Sequence, residues 1–216
     1  MRTDFPSGTY RLVVGMHPTV PAILEELTKA DDAVVLVADV DPVGVRDDVH
    51  VVRGDPTSSA TIRKARPAGA EHALVAAPND GDVLVMAVLL HEEAPGLQIS
   101  ALSNSAPVSE ALRAIGVQQT VSVDDLVAHT LAKSLESPHA GDLLLRLVDS
   151  DQHRLVEVAA DASMIGRPLS SVREERAGLV LGIVHDGSVD LGIGSDPTLV
   201  AGDLLLLAEP LEATRA

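Results

Sequence analysis

Three residues suited to holding a small ligand come at the ends of short apolar runs. Gly15, Asp39 and Asp55 each follow such a run within the first third of the chain. Glycine lets the backbone turn tightly against a ligand, and a carboxylate accepts hydrogen bonds from ribose hydroxyls. Asp39 follows Gly15 at close to the spacing of about 20 residues that separates these two roles in dinucleotide-binding units. The pattern predicts a nucleotide site; a solvated aspartate at a strand end is the alternative interpretation of Asp39.

The loop after Gly15 departs from the usual phosphate-binding pattern. In the segment Gly15 to Val20, His17 stands where a second glycine would let a pyrophosphate approach, and Val20 replaces the third glycine. Pro18 also removes a backbone N–H from the helix start that would hold a phosphate. We therefore do not expect NAD(H) to bind here in the usual dinucleotide mode.

Alternating apolar runs and amphipathic stretches must position these residues. Right-handed crossovers make successive strands parallel, and ligands bind at the edge where the carboxyl ends of the strands meet. The alternation continues through six units, which predicts an α/β fold with a Rossmann-like, doubly wound parallel sheet. The predicted strands are 10–15, 33–38, 49–53, 73–77, 97–102 and 119–122, and the predicted helices are 18–30, 58–66, 83–93, 107–115 and 124–136.

The periodicity changes after residue 137, at a short segment of Pro, His, Ala and Gly. We interpret this segment as a linker and predict two domains, 1–137 and 138–216, of which the second is a small β-rich α+β domain. The strand 154–159 is expected to pair back on 143–148 through a polar turn at 149–152. The remaining predicted elements are strands at 179–185, 189–193 and 203–208 and one short helix at 168–175.

Composition excludes several classes of function. A formal net charge of −16 makes nucleic acid and anionic membrane surfaces poor partners, and 1% aromatic residues leave little for stacking on bases. The absence of cysteine excludes disulfides, thiolate catalysis and thiolate metal sites. No apolar run approaches the ~20 residues that span a bilayer, and the start lacks a signal-peptide core. We expect a soluble, intracellular protein without direct membrane insertion.

A series of short motifs has the order and spacing of a known family across both predicted domains. The motifs are Gly15, Val37–Pro42, Gly54–Thr57, Ala70–Val75 and Leu112–Val117, then Val156–Val158, Ser163–Leu169, Leu179–Gly187 and Ala201–Leu205. Together they resemble the RCK (TrkA-N plus TrkA-C) domains of potassium channels and transporters, over about residues 10–210. The resemblance implies a cytosolic, ligand-sensing subunit or domain that forms a homodimer or larger ring. It also implies a membrane-embedded potassium channel or transporter pore as partner, held at the inner face of the cell membrane.

The resemblance implies roles for individual carboxylates. The family often has a Gly-Asp pair after its third strand that contacts the nucleoside, and Asp55 matches it; a helix cap is the alternative role for Asp55. In calcium-gated relatives a carboxylate near Asp80 joins acidic residues after strand five, but Leu, Ser and Asn occupy 102–104, so no metal site is predicted. The expected ligand is an adenine nucleotide or NAD(H). The candidate cofactor-binding residues are Gly15, His17, Asp39, Asp41, Asp55 and Asp80.

The predicted function is therefore regulation of potassium flux, with no catalytic residues. A NAD(P)-dependent oxidoreductase-like or other nucleotide-binding enzyme is one alternative, but the phosphate loop lacks its glycines and no catalytic constellation is visible. An assembly subunit that has lost ligand binding is a second alternative, and the same loop favours it. Apolar residues on the helices 83–93, 107–115 and 124–136 predict a dimer through these helices.

Overall fold

The computed structural model describes residues 5–29, 33–39, 48–148, 153–176 and 178–210. The chain divides into two compact units between Ala132 and Lys133, and each unit is described by itself. The proposed domain boundary between 137 and 138 stays a prediction.

The first unit is built on a six-stranded sheet in which every neighbouring pair is parallel. Its order is β3-β2-β1-β4-β5-β6, which confirms the Rossmann-like, doubly wound prediction. The order reverses between β1 and β4, and a ligand crevice is expected where the chain leaves these two strands. The strands are β1 (Tyr10–Val14), β2 (Val34–Ala38), β3 (His50–Arg53), β4 (Ala70–Val75), β5 (Gln98–Ser103) and β6 (Gln119–Ser122).

Helices pack on both faces of this sheet, so its central strands are apolar on both sides, and all five residues of β2 are buried. One face packs against α1, where Leu24 is buried with Leu36. The other face packs against α2, α3 and α4, which bury Ile62, Met86 and Leu112 in a larger core. The helices of this part of the chain are α1 (Val20–Lys29), α2 (Ser59–Lys64), α3 (Asp80–Glu93), α4 (Ala106–Ala114) and α5 (Val123–Glu136).

The second unit contains an antiparallel four-stranded sheet of order β7-β10-β8-β9. Alternate residues of β10, Leu205 and Leu207, are fully buried with Leu169 of α7 and with Leu199, which gives this unit its own small core. A separate β-rich unit agrees with the predicted fold class. Its elements are α6 (Ala140–Val148), β7 (His153–Ala159), α7 (Leu169–Glu175), β8 (Leu179–His185), β9 (Ser188–Asp190) and β10 (Leu204–Pro210).

The prediction of a strand at 143–148 is wrong, because this segment lies in the helix α6. A short apolar run fits a helix as well as a strand, and leucine has high intrinsic helix propensity. β7 consequently pairs with β10, with Glu157 opposite Leu206, and not with 143–148. The polar turn predicted at 149–152 lies outside the described residues. The strand predicted at 189–193 is shortened to β9, because the Asp190 carboxylate accepts the Gly192 N–H at 2.7 Å.

Candidate functional site

A cavity of about 400 Å³ opens at the edge of the first sheet where β1, β2, β3 and β4 end. This is the crevice that the strand order predicts, because it spans the point at which the order reverses. The cavity is here called the edge pocket. It is lined by Gly15, Met16, Asp39, Asp55, Pro56, Thr57, Ala77, Pro78, Asp82 and Met86.

Gly15 forms the floor of the edge pocket in a conformation that only glycine adopts easily. Its φ is +94°, and a Cβ built there would collide with the carbonyl oxygen of Ala76. Its N–H donates to the Val37 carbonyl at 2.9 Å, which continues the β1–β2 pairing past the strand end. The tight turn predicted at Gly15 is therefore present, and it brings backbone directly against the pocket.

Asp39 and Asp55 stand on the β2 and β3 side of the edge pocket, and both side chains are exposed. Asp55 Oδ1 accepts the Thr57 N–H at 2.9 Å and the Thr57 hydroxyl at 2.6 Å. These two hydrogen bonds lower the pKa of Asp55 below its ordinary value, so the carboxylate is held charged at the pocket wall. The N-cap position of α2 belongs to Ser58, so the structure gives Asp55 a local turn and not a helix cap.

Two backbone donors of the loop that would hold a phosphate are directed at His17 within the loop. His17 Nδ1 lies 2.8 Å from Thr19 Oγ1 and 3.2 Å from the Thr19 nitrogen. The Val20 N–H donates to the His17 carbonyl at 2.9 Å. Pro18 and Pro21 have no N–H to offer, and the sequence interpretation overlooked Pro21, whose position in the first turn was visible in the sequence. His17 does not line the edge pocket but ties this loop together.

Asp80, at the start of α3, lies outside the residues that line the edge pocket. Its Oδ1 accepts the Asn104 N–H at 2.8 Å and the Asn104 Nδ2 at 3.1 Å, and its Oδ2 accepts the Ser105 hydroxyl at 3.0 Å. It thus fastens the β5–α4 loop to α3. Asp82, two residues along, lines the pocket instead. The ligand-binding role of Asp80 stays a prediction, and the predicted residue Asp41 lies outside the described residues.

Three carboxylates, from Asp39, Asp55 and Asp82, give the edge pocket a negative lining, and no lysine or arginine is among its described lining residues. Carboxylates accept hydrogen bonds from hydroxyl and amino groups, so the pocket suits a ligand rich in such donors. Among the residues that the structure describes, no group of three or more His, Asp or Glu is arranged to hold a metal ion. The lining is therefore better suited to hydrogen-bond donors than to anionic groups.

A family model for the TrkA-N domain matches residues 12–123, which is more than half of the chain. The chain belongs to the TrkA-N family. This match confirms the family resemblance and covers the whole of the edge pocket. A search of curated protein sequences finds no significant match. Within the described ranges, no helix of this TrkA-N protein has the length and apolar character needed to cross a bilayer.

Solved structures similar to this TrkA-N protein include an RCK domain, a channel and a gating ring. The GsuK RCK domain matches with a TM-score of 0.51 and 18% identity, over 95% of this chain and 46% of that one. The GsuK channel bound to NAD matches with a TM-score of 0.52 and 18% identity, over 95% of this chain and 38% of that one. The human SLO3 gating ring matches with a TM-score of 0.70 and 12% identity, over 93% of this chain and 44% of that one. The protein therefore spans less than half of each of these three structures and shares their fold.

Proposed function

We propose that this TrkA-N protein is a ligand-sensing regulator of a potassium channel or transporter, with the edge pocket as its sensing site. The observation that carries the proposal is the position of the edge pocket, at the strand-order reversal of a TrkA-N domain. A second, separate β-rich unit and the likeness to channel gating rings support a regulatory part within a larger assembly.

The proposed ligand is an adenine nucleotide or NAD(H). The similar GsuK channel binds NAD, which supports a nucleotide as the ligand of this protein. Asp39 would accept the ribose hydroxyls from the end of β2, as the acidic residue at this position does in nucleotide-binding units. Because Pro18 and Pro21 weaken the phosphate cradle, adenine mononucleotides should bind at least as tightly as NADH.

The proposed partners are a second copy of the chain and a membrane-embedded pore. Val85 and Val88 of α3 and Leu126 and Leu131 of α5 are exposed apolar side chains, the two leucines at 60% and 61%. Exposed apolar surface on this scale marks interfaces between proteins. A homodimer or larger ring would cover it, and the ring would transmit ligand binding to the pore.

Ligand binding is tested by calorimetry and thermal shift with AMP, ADP, ATP and NADH on the 216-residue chain. The proposal expects saturable binding that Asp39→Ala weakens and Glu92→Gln, on the exposed part of α3, leaves unchanged. Turnover of a nicotinamide substrate would indicate the oxidoreductase alternative. A complete lack of response would indicate an assembly subunit without a ligand.

Control of potassium flux is tested by co-expressing the chain with potassium channel or transporter pores in cells that lack potassium uptake. Rubidium uptake should depend on the chain, and Asp39→Ala should change its response to the ligand. Uptake that is identical with and without the chain, for every pore that co-purifies with it, would overturn the proposed regulation.

A further inference from the structure

We infer that the edge pocket selects the unphosphorylated nucleoside over its phosphates. This inference rests on the proposed function, because it concerns the ligand of that same site. It goes beyond that function in predicting an order of affinity in which each added phosphate weakens binding. Two independent features of the described residues carry it: the blocked phosphate cradle and the charge of the pocket lining.

The first feature is the helix start beside Gly15. A helix N-terminus binds phosphate through backbone N–H groups that have no partner inside the helix. At α1 the N–H groups of Thr19 and Val20 are already directed at His17, and Pro18 and Pro21 have none. A phosphate above Gly15 would therefore find fewer backbone donors than at an ordinary helix start.

The second feature is the position of the three carboxylates. Asp39 and Asp55 follow β2 and β3 on one side of Gly15, while Asp82 stands on α3, which follows β4 on the other side. A ribose held by Asp39 would direct its 5′ substituent across Gly15, toward Asp82. An uncharged hydroxymethyl group is tolerated there, whereas a phosphate dianion meets like charge with no basic side chain among the described lining residues.

Coulomb repulsion fixes the size of the expected effect. A dianion roughly 7 Å from one carboxylate in water-like surroundings, screened at physiological salt, changes affinity by about two-fold to three-fold. Asp39 and Asp55 lie on the other side of Gly15 and repel the phosphate more weakly than Asp82 does, so the three together give a preference of roughly three-fold to five-fold for adenosine over AMP. The preference should shrink as ionic strength rises, because the repelling carboxylates are exposed to solvent.

The test is calorimetry of the 216-residue chain with adenosine, AMP, ADP and ATP, without divalent cations, at low and high salt. The expected order is adenosine, AMP, ADP, ATP from tightest to weakest, with a smaller spread at high salt. Asp82→Asn should narrow the ratio of adenosine to AMP affinity by about two-fold to three-fold. Glu92→Gln, a matched loss of one charge on the exposed part of the same helix, should leave that ratio unchanged.

AMP or ADP binding more tightly than adenosine would overturn this inference and leave the proposed nucleotide site standing. A spread that does not respond to salt or to Asp82→Asn would overturn the charge argument in the same way. Failure of all four compounds to bind at millimolar concentration would overturn both the inference and the proposed ligand.

Discussion

Removing the Asp80 carboxylate should destabilise the first unit without lowering the affinity of the edge pocket for its ligand. Asp80 accepts three hydrogen bonds from Asn104 and Ser105, and these bonds hold the β5–α4 loop against the start of α3. In Asp80→Ala the backbone N–H of Asn104, which is partly buried with its acceptor, loses its partner. The Asn104 side chain then keeps its hydrogen bond to the Pro78 carbonyl at 3.2 Å, which holds the loop less firmly.

The magnitude follows from the number and exposure of these bonds. A hydrogen bond to a charged group contributes roughly 1.5–3 kcal/mol to the free energy of unfolding. The sum for three such bonds is an upper limit, reached only if none of the donors regains a hydrogen bond to water. The donors lie near the surface and regain water, so we expect a loss of about 2–3 kcal/mol of unfolding free energy for Asp80→Ala. This corresponds to a fall of about 6–9 °C in melting temperature.

The matched control is Asp82→Ala, which removes a carboxylate from the same helical turn without breaking any of these bonds. Its expected loss is below about 1 kcal/mol, because only the interaction with the helix dipole is removed. Urea unfolding and thermal melts measure both variants, and adenosine affinity is measured on each folded variant. Equal destabilisation by the two variants would refute the structural role of Asp80. A ten-fold loss of ligand affinity in Asp80→Ala at unchanged stability would instead support its predicted ligand contact.

Three further predictions concern the turn, the second unit and assembly. Gly15→Ala should cost more than about 2 kcal/mol of stability in urea unfolding, because of its positive φ and the clash with Ala76. His185 Nδ1 lies 2.7 Å from the buried Asp203 carboxylate, which raises the pKa of His185. The contribution of this pair to the free energy of unfolding is therefore fully present below pH 6.5 and is lost as pH rises through the raised pKa. Asp203→Asn should reduce that dependence in pH-resolved melts, and Asp186, whose carboxylate lies 3.4 Å from His185 Nε2, should preserve the rest. Leu131→Glu should shift light scattering from dimer to monomer; a wild-type monomer at micromolar concentration would contradict the interface.

The parallel sheet and its pocket were predictable because the pattern is strong there. β2 is apolar at every position, which occurs when both faces of a strand are covered, and parallel strands must end at the same edge. Gly15, Asp39 and Asp55 were therefore brought together by the fold as expected. The TrkA-N family match agrees with the motifs that the sequence contains.

Two features were less predictable than the sheet: which of two neighbouring carboxylates lines the edge pocket, and whether the apolar run at 143–148 forms a helix or a strand. Which of Asp80 and Asp82 faces the pocket depends on where α3 begins and on donors in the β5–α4 loop, which is distant in sequence. The leucine-rich run in α6 has the length and apolar character of a strand, but the apolar residues of Ala140–Val148 also have helical periodicity, which the sequence interpretation overlooked. In α6 the N–H of Leu143 donates to the His139 carbonyl at 3.0 Å, as in a helix.

We propose that Asp39 binds the ribose hydroxyls of the ligand in the edge pocket. The most direct measurement is a double-mutant cycle by calorimetry, with wild type and Asp39→Ala against adenosine and 2′,3′-dideoxyadenosine. Asp39→Ala should weaken adenosine binding by about 1.5–3 kcal/mol, and dideoxyadenosine should bind both proteins equally. Equal adenosine affinity of Asp39→Ala and wild type would contradict this role of Asp39. An equal loss of affinity for adenosine and for dideoxyadenosine would contradict it as well.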